Sequence, residues 1–267
     1  MRVAAVQMRS GTGVAANIAQ ASGLIRAAAG EGAEFVTTPE MTNMVVRGRE
    51  ALEARLAAEA DDASVAAFSG LARELGLHLL IGSLAVRDGA RIRNRSYLFG
   101  PSGDVLARYD KMHMFDANVG VNDRWRESAT YAAGDAPITA DVGEAKLGLG
   151  ICYDLRFAEL FRHYAREGCE IITVPAAFTV PTGQAHWKVL LRARAIETGC
   201  FMIAPAQGGL HEDGRETYGH SLIVAPWGEV VAEMDGDAPG YIVAEIDLDE
   251  VRQARARVPA WSQSPKV

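Results

Sequence analysis

The chain has 267 residues, 49% of them hydrophobic, which suffices for the core of one large α/β domain. A formal net charge of -7 and the lack of a Lys/Arg run exclude a surface for nucleic acid, and no apolar run approaches the roughly 18 residues of a membrane-spanning helix. The 3 cysteines show no CxxC spacing, and we find no leader sequence, which favours a reducing, cytoplasmic location. We therefore expect residues 1–267 to form a single domain without nucleic-acid or membrane partners.

The first half of the chain alternates strand-like and helical apolar patterns. Two strands end at chemically useful side chains, because Pro39 stops one of them just before Glu40 and the last one runs into Lys111. The expected elements are a strand at 2–8, a helix capped by Asn17, a strand at 34–38, a helix between Asp62 and Gly76, a strand at 77–82, and a hairpin of 91–99 with 105–109.

The second half begins with an irregular segment at 112–141, and such a long segment in a compact domain is usually functional or disordered. Regular patterns then return. They predict a strand at 147–151, a helix at 156–165, a strand at 170–174, a helix at 184–198, a strand at 201–206, a hairpin of 221–225 with 230–234, a strand at 241–246 and a polar helix opening at Asp247.

Cys152 stands where a glycine-spaced strand runs into a helix. A thiol at that corner faces the positive end of the helix dipole, which favours the thiolate that attacks carbonyl carbon. The alternative is a buried structural cysteine, which is the common environment of a lone cysteine. Cys169 and Cys200 lie in or beside apolar strands and are expected in the core.

Glu40, Lys111 and Cys152 together supply a base, a cation and a nucleophile. The set suits acyl transfer. Glu40 would accept the thiol proton, Cys152 would attack the carbonyl carbon, and Lys111 would stabilise the oxyanion with a backbone N–H near Tyr153. Taken singly, each side chain also fits an ordinary turn or surface position. No metal or cofactor is expected, because no HxxxH or CxxC pattern accompanies the histidines.

Three segments resemble, in the same order, the signature segments of the nitrilase, or carbon–nitrogen hydrolase, superfamily. They are Pro39-Glu40, the Asp-Lys-Met-His run at 110–113 and the Gly-Ile-Cys-Tyr-Asp-Leu-Arg-Phe run at 150–157, within a similarity from Val3 to Pro259. The resemblance implies a four-layer α-β-β-α sandwich that associates into a homodimer or larger assembly. It also implies a Glu-Lys-Cys triad at Glu40, Lys111 and Cys152, with a second glutamate, Glu127, that positions the substrate or the lysine.

Within the superfamily, the chain is most similar to the branch that holds deaminated glutathione amidase and ω-amidase, and residues 192–198, 206–211 and 216–221 look more like the former. The resemblance implies a cofactor-free cysteine amidase that acts on a small carboxylate-bearing 2-oxo acid amide, above all deaminated glutathione, through a thioester.

Substrates of this branch carry a carboxylate, for which Arg156 is the candidate partner because arginine pairs with carboxylates in a bidentate manner. A salt bridge from Arg156 to Asp154 or Glu159 is the alternative. Phe178 and Thr182 match pocket positions of similar enzymes, and Tyr153 completes the expected substrate-binding set. Three other functions stay open: an ω-amidase acting on 2-oxoglutaramate, an N-carbamoyl amino acid hydrolase, and a non-catalytic binding or scaffold member of the fold.

Overall fold

A computed structural model describes residues 1–120 and 123–263. The strands are β1 (Arg2–Gln7), β2 (Phe35–Thr37), β3 (His78–Asp88), β4 (Arg91–Phe99), β5 (Val105–Asp110), β6 (Asn118–Gly120), β7 (Asp123–Arg124), β8 (Thr139–Val142), β9 (Ala145–Leu149), β10 (Ile171–Thr173), β11 (Phe201–Ala204), β12 (Gly208–Leu210), β13 (Glu216–Tyr218), β14 (Leu222–Val224), β15 (Val230–Glu233) and β16 (Gly240–Glu245). The α-helices are α1 (Val14–Gly30), α2 (Arg49–Glu53), α3 (Ala63–Leu75), α4 (Ala158–Arg166), α5 (Val180–Thr198) and α6 (Asp249–Arg257).

Two six-stranded sheets form the centre of the molecule. Their strand orders are β16-β1-β2-β3-β4-β5 and β15-β14-β11-β10-β9-β8. In each sheet three middle strands run parallel, β1 to β3 in the first and β9 to β11 in the second, while the outer pairs are antiparallel. The carboxyl ends of the parallel strands are therefore the natural meeting place for side chains from both sheets.

The packing of apolar faces shows how the sheets and helices are layered. Val6 on the outer face of the first sheet packs with Ile25 of α1 and Phe68 of α3 in one buried cluster. The inner faces share a second cluster, in which Val3 and Ile171 represent the two sheets and which extends to buried residues of α4 and α5. The predicted four-layer α-β-β-α architecture is confirmed. None of the helices in the described ranges has an apolar stretch long enough to cross a bilayer.

Several local expectations were wrong. The first helix begins at Val14, so Asn17 is not its cap. The Asn17 side-chain amide instead bonds both the N–H and the C=O of Gly11. The long helix begins at Val180 rather than 184, and the helix expected at 156 begins at Ala158. The strand expected at 77–82 is longer: β3 extends to Asp88 and forms a hairpin with β4.

Asp62 and Gly76 behave as expected at the two ends of α3. The Asp62 carboxylate accepts the N–H groups of Ser64 and Val65, and Gly76 adopts a left-handed conformation with φ 64°. The segment expected to be irregular, 112–141, contains the short strands β6 and β7 and most of β8, which ends at Val142, and its residues 121–122 lie outside the described ranges.

Candidate active site

Cys152 follows the end of β9 in a tight, strained turn. The N–H of Gly150 donates to Thr173 O at 3.1 Å and the N–H of Cys152 donates to Pro175 O at 2.9 Å, so the backbone continues beside β10 up to the thiol. There it turns into a 3₁₀ helix, Cys152–Arg156, with a φ of 50° at Cys152. The left-handed region is costly for a residue with a side chain, and such outliers concentrate at functional sites. The turn points the thiol out of the strand direction and into a cavity.

Asp154 anchors this turn from beneath. Its fully buried carboxylate accepts the N–H of Ile151 and the hydroxyl of Tyr109, each at 2.8 Å. The other carboxylate oxygen contacts the backbone N–H of His113 at 3.0 Å and its ring Nδ1 at 2.6 Å. The His113 ring stacks on Phe157 with centroids 3.6 Å apart. Asp154 thus ties the cysteine turn to the segment that follows Lys111.

Glu40 is fixed by the loop that follows β2. Its backbone C=O accepts Gln207 Nε2 at 2.9 Å, and the N–H of the next residue, Met41, donates to Ser83 Oγ at 2.9 Å. The two sheets approach each other closely here, since a Cβ on Gly82 would lie 2.4 Å from Pro175 Cβ. Only glycine permits that contact between β3 and the end of β10, the strands that neighbour β2 and β9, after which Glu40 and Cys152 follow.

A buried ion network joins the glutamates to the lysine. Lys111 Nζ donates to Glu40 Oε1 at 2.8 Å and to Glu127 Oε1 and Oε2 at 3.0 and 2.8 Å. Asn94 Nδ2 donates to Oε1 of both glutamates, at 2.9 Å from Glu40 and 3.1 Å from Glu127. The N–H of Phe115 donates to Glu127 Oε2 at 2.7 Å. Glu40 and Lys111 are each only 2% exposed, so these charges exist because they pair with one another.

The environment sets the protonation states. Burial opposes ionisation of Glu40, but the Lys111 ammonium and the hydrogen bonds to the carboxylate outweigh it, so the Glu40 pKa lies below its usual range. Burial also opposes the charge on Lys111, yet Glu127 and Glu40 hold its pKa well above normal.

The thiol behaves differently from the expectation. Burial, reinforced by the negative Glu40, raises the Cys152 pKa well above its usual value, although Lys111 and the backbone N–H of Ala177 act the other way. The expected preference for thiolate was therefore wrong, because desolvation and the Glu40 carboxylate dominate and the turn after Cys152 is a short 3₁₀ segment rather than the start of an α-helix. The resting site is a neutral thiol beside a carboxylate base.

These groups open into one cavity of about 340 Å³. Its wall includes Glu40, Lys111, Glu127 and Cys152, so the structure brings together all four residues expected to take part in the reaction. Most of the remaining wall comes from the loop that follows Glu40, from the segment around Trp125, and from Arg215.

The expected substrate-binding residues lie beside the site, outside the set that lines this cavity. The Arg156 guanidinium lies over the rings of Phe178 and Tyr153, at 5.3 and 5.7 Å from their centroids, and its Nη1 is 3.2 Å from His186 Nδ1. Within the described residues Arg156 makes no ion pair with Glu159 or with Asp154, whose buried carboxylate bonds Ile151, Tyr109 and His113. Thr182 bonds the hydroxyl of Thr179 in the first turn of α5.

Sequence reasoning missed Asn94, the anchoring role of Asp154, and the cavity residues Trp125 and Arg215. Asn94 had a usable signal, since in the alternating strand β4 it shares the buried face with Ile92 and Ser96. A polar amide on a buried face needs partners, and here the partners are the two glutamates.

A fold of this kind, with a cysteine, a lysine and paired glutamates in one cavity, agrees with the family to which the sequence is assigned. A family model described as Carbon-nitrogen hydrolase matches residues 2–256, and the chain belongs to that family. It is an enzyme that hydrolyses amide-type carbon–nitrogen bonds.

Among individual proteins, the chain is 40% identical over 262 residues to the deaminated glutathione amidase of Synechocystis sp., a match that covers 96% of this chain and 95% of that one. It is 34% identical over 262 residues to the human Omega-amidase NIT2, covering 98% of this chain and 94% of the relative. The crystal structure of the C. elegans NitFhit protein has a TM-score of 0.89 at 34% identity, and the match covers 98% of this chain and 64% of that longer chain.

Proposed function

We propose that the protein is a cysteine amidase that hydrolyses a small carboxylate-bearing 2-oxo acid amide, with deaminated glutathione as the preferred substrate. The observation that carries the proposal is the buried Glu40–Lys111–Glu127 network in the cavity wall beside the Cys152 thiol. The 40% identity to the deaminated glutathione amidase of Synechocystis sp. supports this substrate class.

Acylation follows from the resting protonation states. The Cys152 Sγ attacks the amide carbon while its proton passes to Glu40, and the carbonyl electron pair moves onto the oxygen. Lys111 and a backbone N–H near Tyr153 stabilise that oxyanion. When the tetrahedral intermediate collapses, the C–N bond breaks, the leaving nitrogen takes the proton from Glu40, and a thioester on Cys152 remains.

Deacylation uses the same proton transfers, with water as the nucleophile and the Cys152 sulfur as the leaving group. Glu40, again a carboxylate, takes a proton from a water molecule whose oxygen attacks the thioester carbon. The second intermediate then expels the Cys152 sulfur, which recovers the proton from Glu40, and the carboxylic acid leaves. A carboxylate with a lowered pKa is suited to this cycle, because it begins each step ionised at neutral pH.

Glu127 and Asn94 hold the reacting groups in place. Glu127 accepts both a backbone N–H and the lysine, and Asn94 bridges the two glutamates. In this proposal Tyr153 contributes its backbone N–H, whereas binding roles for Arg156, Phe178 and Thr182 rest on the family resemblance alone.

The test is product formation by wild type and Cys152→Ala on a panel of substrates. Deaminated glutathione should release cysteinylglycine, and Cys152→Ala should stay folded but lose turnover. Wild-type turnover of 2-oxoglutaramate more than about tenfold better in kcat/KM, which is about 1.4 kcal/mol, would make the chain an ω-amidase. The 34% identity to the human Omega-amidase NIT2 keeps that alternative in view.

The same panel distinguishes the two other candidate functions. Preference for an N-carbamoyl amino acid would indicate a hydrolase of that type. No turnover of any member of the panel would favour a non-catalytic binding protein, and unchanged turnover in Cys152→Ala would contradict the cysteine mechanism.

We also propose that the protein forms a homodimer or larger assembly. Val189 and Ile196 on α5 are 66% and 55% exposed, and their spacing of seven residues puts them on one helix face. Trp227, in the turn that joins β14 and β15, is 48% exposed. We expect Ile196→Glu to shift the mass measured by light scattering towards the monomer. The cytoplasmic location stays a prediction from cysteine usage.

A further inference from the structure

The residue that follows the base Glu40 has a strained backbone. Met41 has a φ of 57°, in the left-handed region that a residue with a side chain rarely adopts. Asparagine and aspartate tolerate this region because their short polar side chains bond the local backbone, which methionine cannot do. Such a conformation persists only where its surroundings hold it. Because Met41 is joined directly to Glu40, the contacts that hold this turn also set the direction in which the Glu40 side chain leaves the backbone.

Hydrogen bonds hold the turn from two sides. On one side, the Met41 N–H donates to Ser83 Oγ of β3 at 2.9 Å. On the other side, Gln207 Nε2 donates to the backbone oxygens of Glu40 at 2.9 Å and of Met41 at 3.3 Å. Gln207 is fully buried, and its amide is itself fixed by Ser10, whose N–H donates to Oε1 at 3.0 Å and whose Oγ accepts from Nε2 at 2.7 Å. These contacts define one orientation of the Gln207 amide.

The backbone of Gln207 lies on the other side of the site, beside the nucleophile. Its N–H donates to Ala176 O at 2.9 Å. The preceding residue, Pro175, accepts the N–H of Cys152 at 2.9 Å. The backbone N–H of the following residue, Ala177, bonds the Cys152 thiol. Gln207 therefore connects, within a single residue, the segment that holds the nucleophile to the turn that holds the base.

We propose that Gln207 is a positioning residue that fixes the Glu40 carboxylate relative to the Cys152 thiol, an inference that rests on the roles of these two groups in the function proposed above. In the part of the chain that the structure describes, Gln207 is not among the residues that line the cavity, so it acts through Glu40 and does not touch a substrate. Proton transfer requires the base within hydrogen-bond reach of the thiol, and a displacement of about 1 Å reduces rates on the order of 100-fold.

The first test is the kinetics of Gln207→Met, which keeps the length of the side chain and removes its hydrogen bonds. The substrate is the amide of the panel above that wild type hydrolyses best. We expect kcat to fall about 10- to 100-fold while KM changes little, because the base moves and the cavity wall does not. Gln207→Asn keeps an amide in the buried position but is shorter by one methylene, so it no longer reaches the Glu40 oxygen and should show the same division between kcat and KM.

Gln7→Met is the matched control for a loss of buried hydrogen bonds. Gln7 is also fully buried, and its Oε1 accepts the N–H and the hydroxyl of Ser221. Its Nε2 donates to the backbone oxygens of Gly236 and Ala238, so its amide does not contact the turn beside the base. Both glutamine-to-methionine variants should lower the midpoint of urea denaturation, but only Gln207→Met should lower kcat.

The pH profile of Cys152 alkylation tests the same geometry without turnover. When iodoacetamide reacts, the S–C bond forms, iodide leaves and the thiol proton passes to Glu40. Glu40 and Lys111, the charged groups that act most strongly on the thiol, keep their charges near neutral pH because the pKa of the first is lowered and that of the second is raised. The wild-type rate should therefore be nearly flat from about pH 5.5 to 8. In Gln207→Met the displaced base no longer takes the proton, so the rate should be lower and should rise up to about tenfold per pH unit with the thiolate fraction.

Peptide mass measures the alkylation, and circular dichroism checks the fold of each variant. The proposal would be overturned by unchanged kcat in both Gln207 variants, by an equal loss of kcat in Gln7→Met, or by a loss that appears mainly in KM. A wild-type alkylation rate that rises with pH like that of a free thiol would also overturn it. A flat wild-type profile without hydrolysis of any amide would instead refute the amidase function, and alkylation of the Gln207 variants would then decide the role of Gln207.

Discussion

Asp154→Asn tests whether one buried carboxylate holds the nucleophile in place. Asp154 contacts four groups, the N–H of Ile151, the hydroxyl of Tyr109, and the N–H and ring nitrogen of His113. Asparagine has the same shape but presents one oxygen and one NH₂. The hydroxyl and the imidazole can turn to accept from that NH₂, whereas the two backbone N–H groups cannot. One backbone donor therefore faces a donor in either orientation of the amide.

The magnitude follows from that count. A buried donor without an acceptor costs about 1–3 kcal/mol. The remaining hydrogen bonds lose the charge that makes them roughly twice as strong as neutral ones. We expect a loss of about 3–5 kcal/mol in the free energy of unfolding, a large share of the roughly 5–15 kcal/mol of a typical protein. Because the same contacts fix the Cys152 turn, a displacement of about 1 Å should reduce kcat on the order of 100-fold.

Urea denaturation followed by far-UV circular dichroism measures the first effect, and amide hydrolysis measures the second. The matched control is Asp141→Asn, which removes the same charge from an exposed position on β8 and should change neither. An Asp154→Asn protein within about 1 kcal/mol of wild type and fully active would refute the reasoning, since the net value of an ordinary hydrogen bond is already about that large.

Three further outcomes are expected. Because folding lowers the pKa of Glu40, the ionised carboxylate contributes to the free energy of unfolding above its unfolded pKa of about 4.3, and this contribution is lost as pH falls through the folded pKa. For the same reason kcat/KM should stay flat from about pH 5.5 to 8, and a loss of activity with a midpoint above about pH 6 on the acid side would contradict Glu40 as the base. Asn94→Ala removes a hydrogen-bond donor shared by two carboxylates, and hydrogen bonds to charged groups are worth about 1.5–3 kcal/mol, so kcat should fall about 10- to 100-fold in steady-state assays while KM changes little. An equal loss through a raised KM would argue that Asn94 does not position the catalytic groups. Gly148→Ala would bring a Cβ to 2.6 Å from the Tyr164 ring and should destabilise by about 1–3 kcal/mol in urea, whereas Gly150→Ala, with its nearest atom at 3.5 Å, should not.

Much of the site was predictable because sequence signals mark where strands end. Pro39 terminates a strand just before Glu40, and a hairpin delivers Lys111, so the positions of both were visible without a structure. The glycine spacing before Cys152 also had a definite cause, since Gly148 makes room for the Tyr164 ring. These are local effects of backbone geometry and close packing, and such effects leave a pattern in a short stretch of chain.

The missing parts depend on contacts between distant segments. Asn94 bonds Glu40 and Glu127, which come from two other segments, and Asp154 reaches back to Tyr109 across 45 residues. The pKa of Cys152 could not be inferred from its place in the chain, because it results from burial and from the Glu40 charge, both of which arise only after the two sheets pack together. Local pattern therefore predicts which residues end strands, but not the electrostatic balance among them.

That balance explains why a lysine shared by two glutamates suits the proposed chemistry. Before attack, Lys111 lies between the Glu40 and Glu127 carboxylates, and the thiol is neutral. After attack, Glu40 holds the thiol proton and the negative charge has moved to the substrate oxygen. Lys111 then lies between that oxyanion and Glu127, with the same total charge around it. Nζ has three N–H groups and donates to both oxygens of Glu127, so it can release one of these contacts to the oxyanion while Glu127 still holds it. The site thus stabilises the intermediate with little reorganisation, which is the condition under which buried charges are most effective in catalysis.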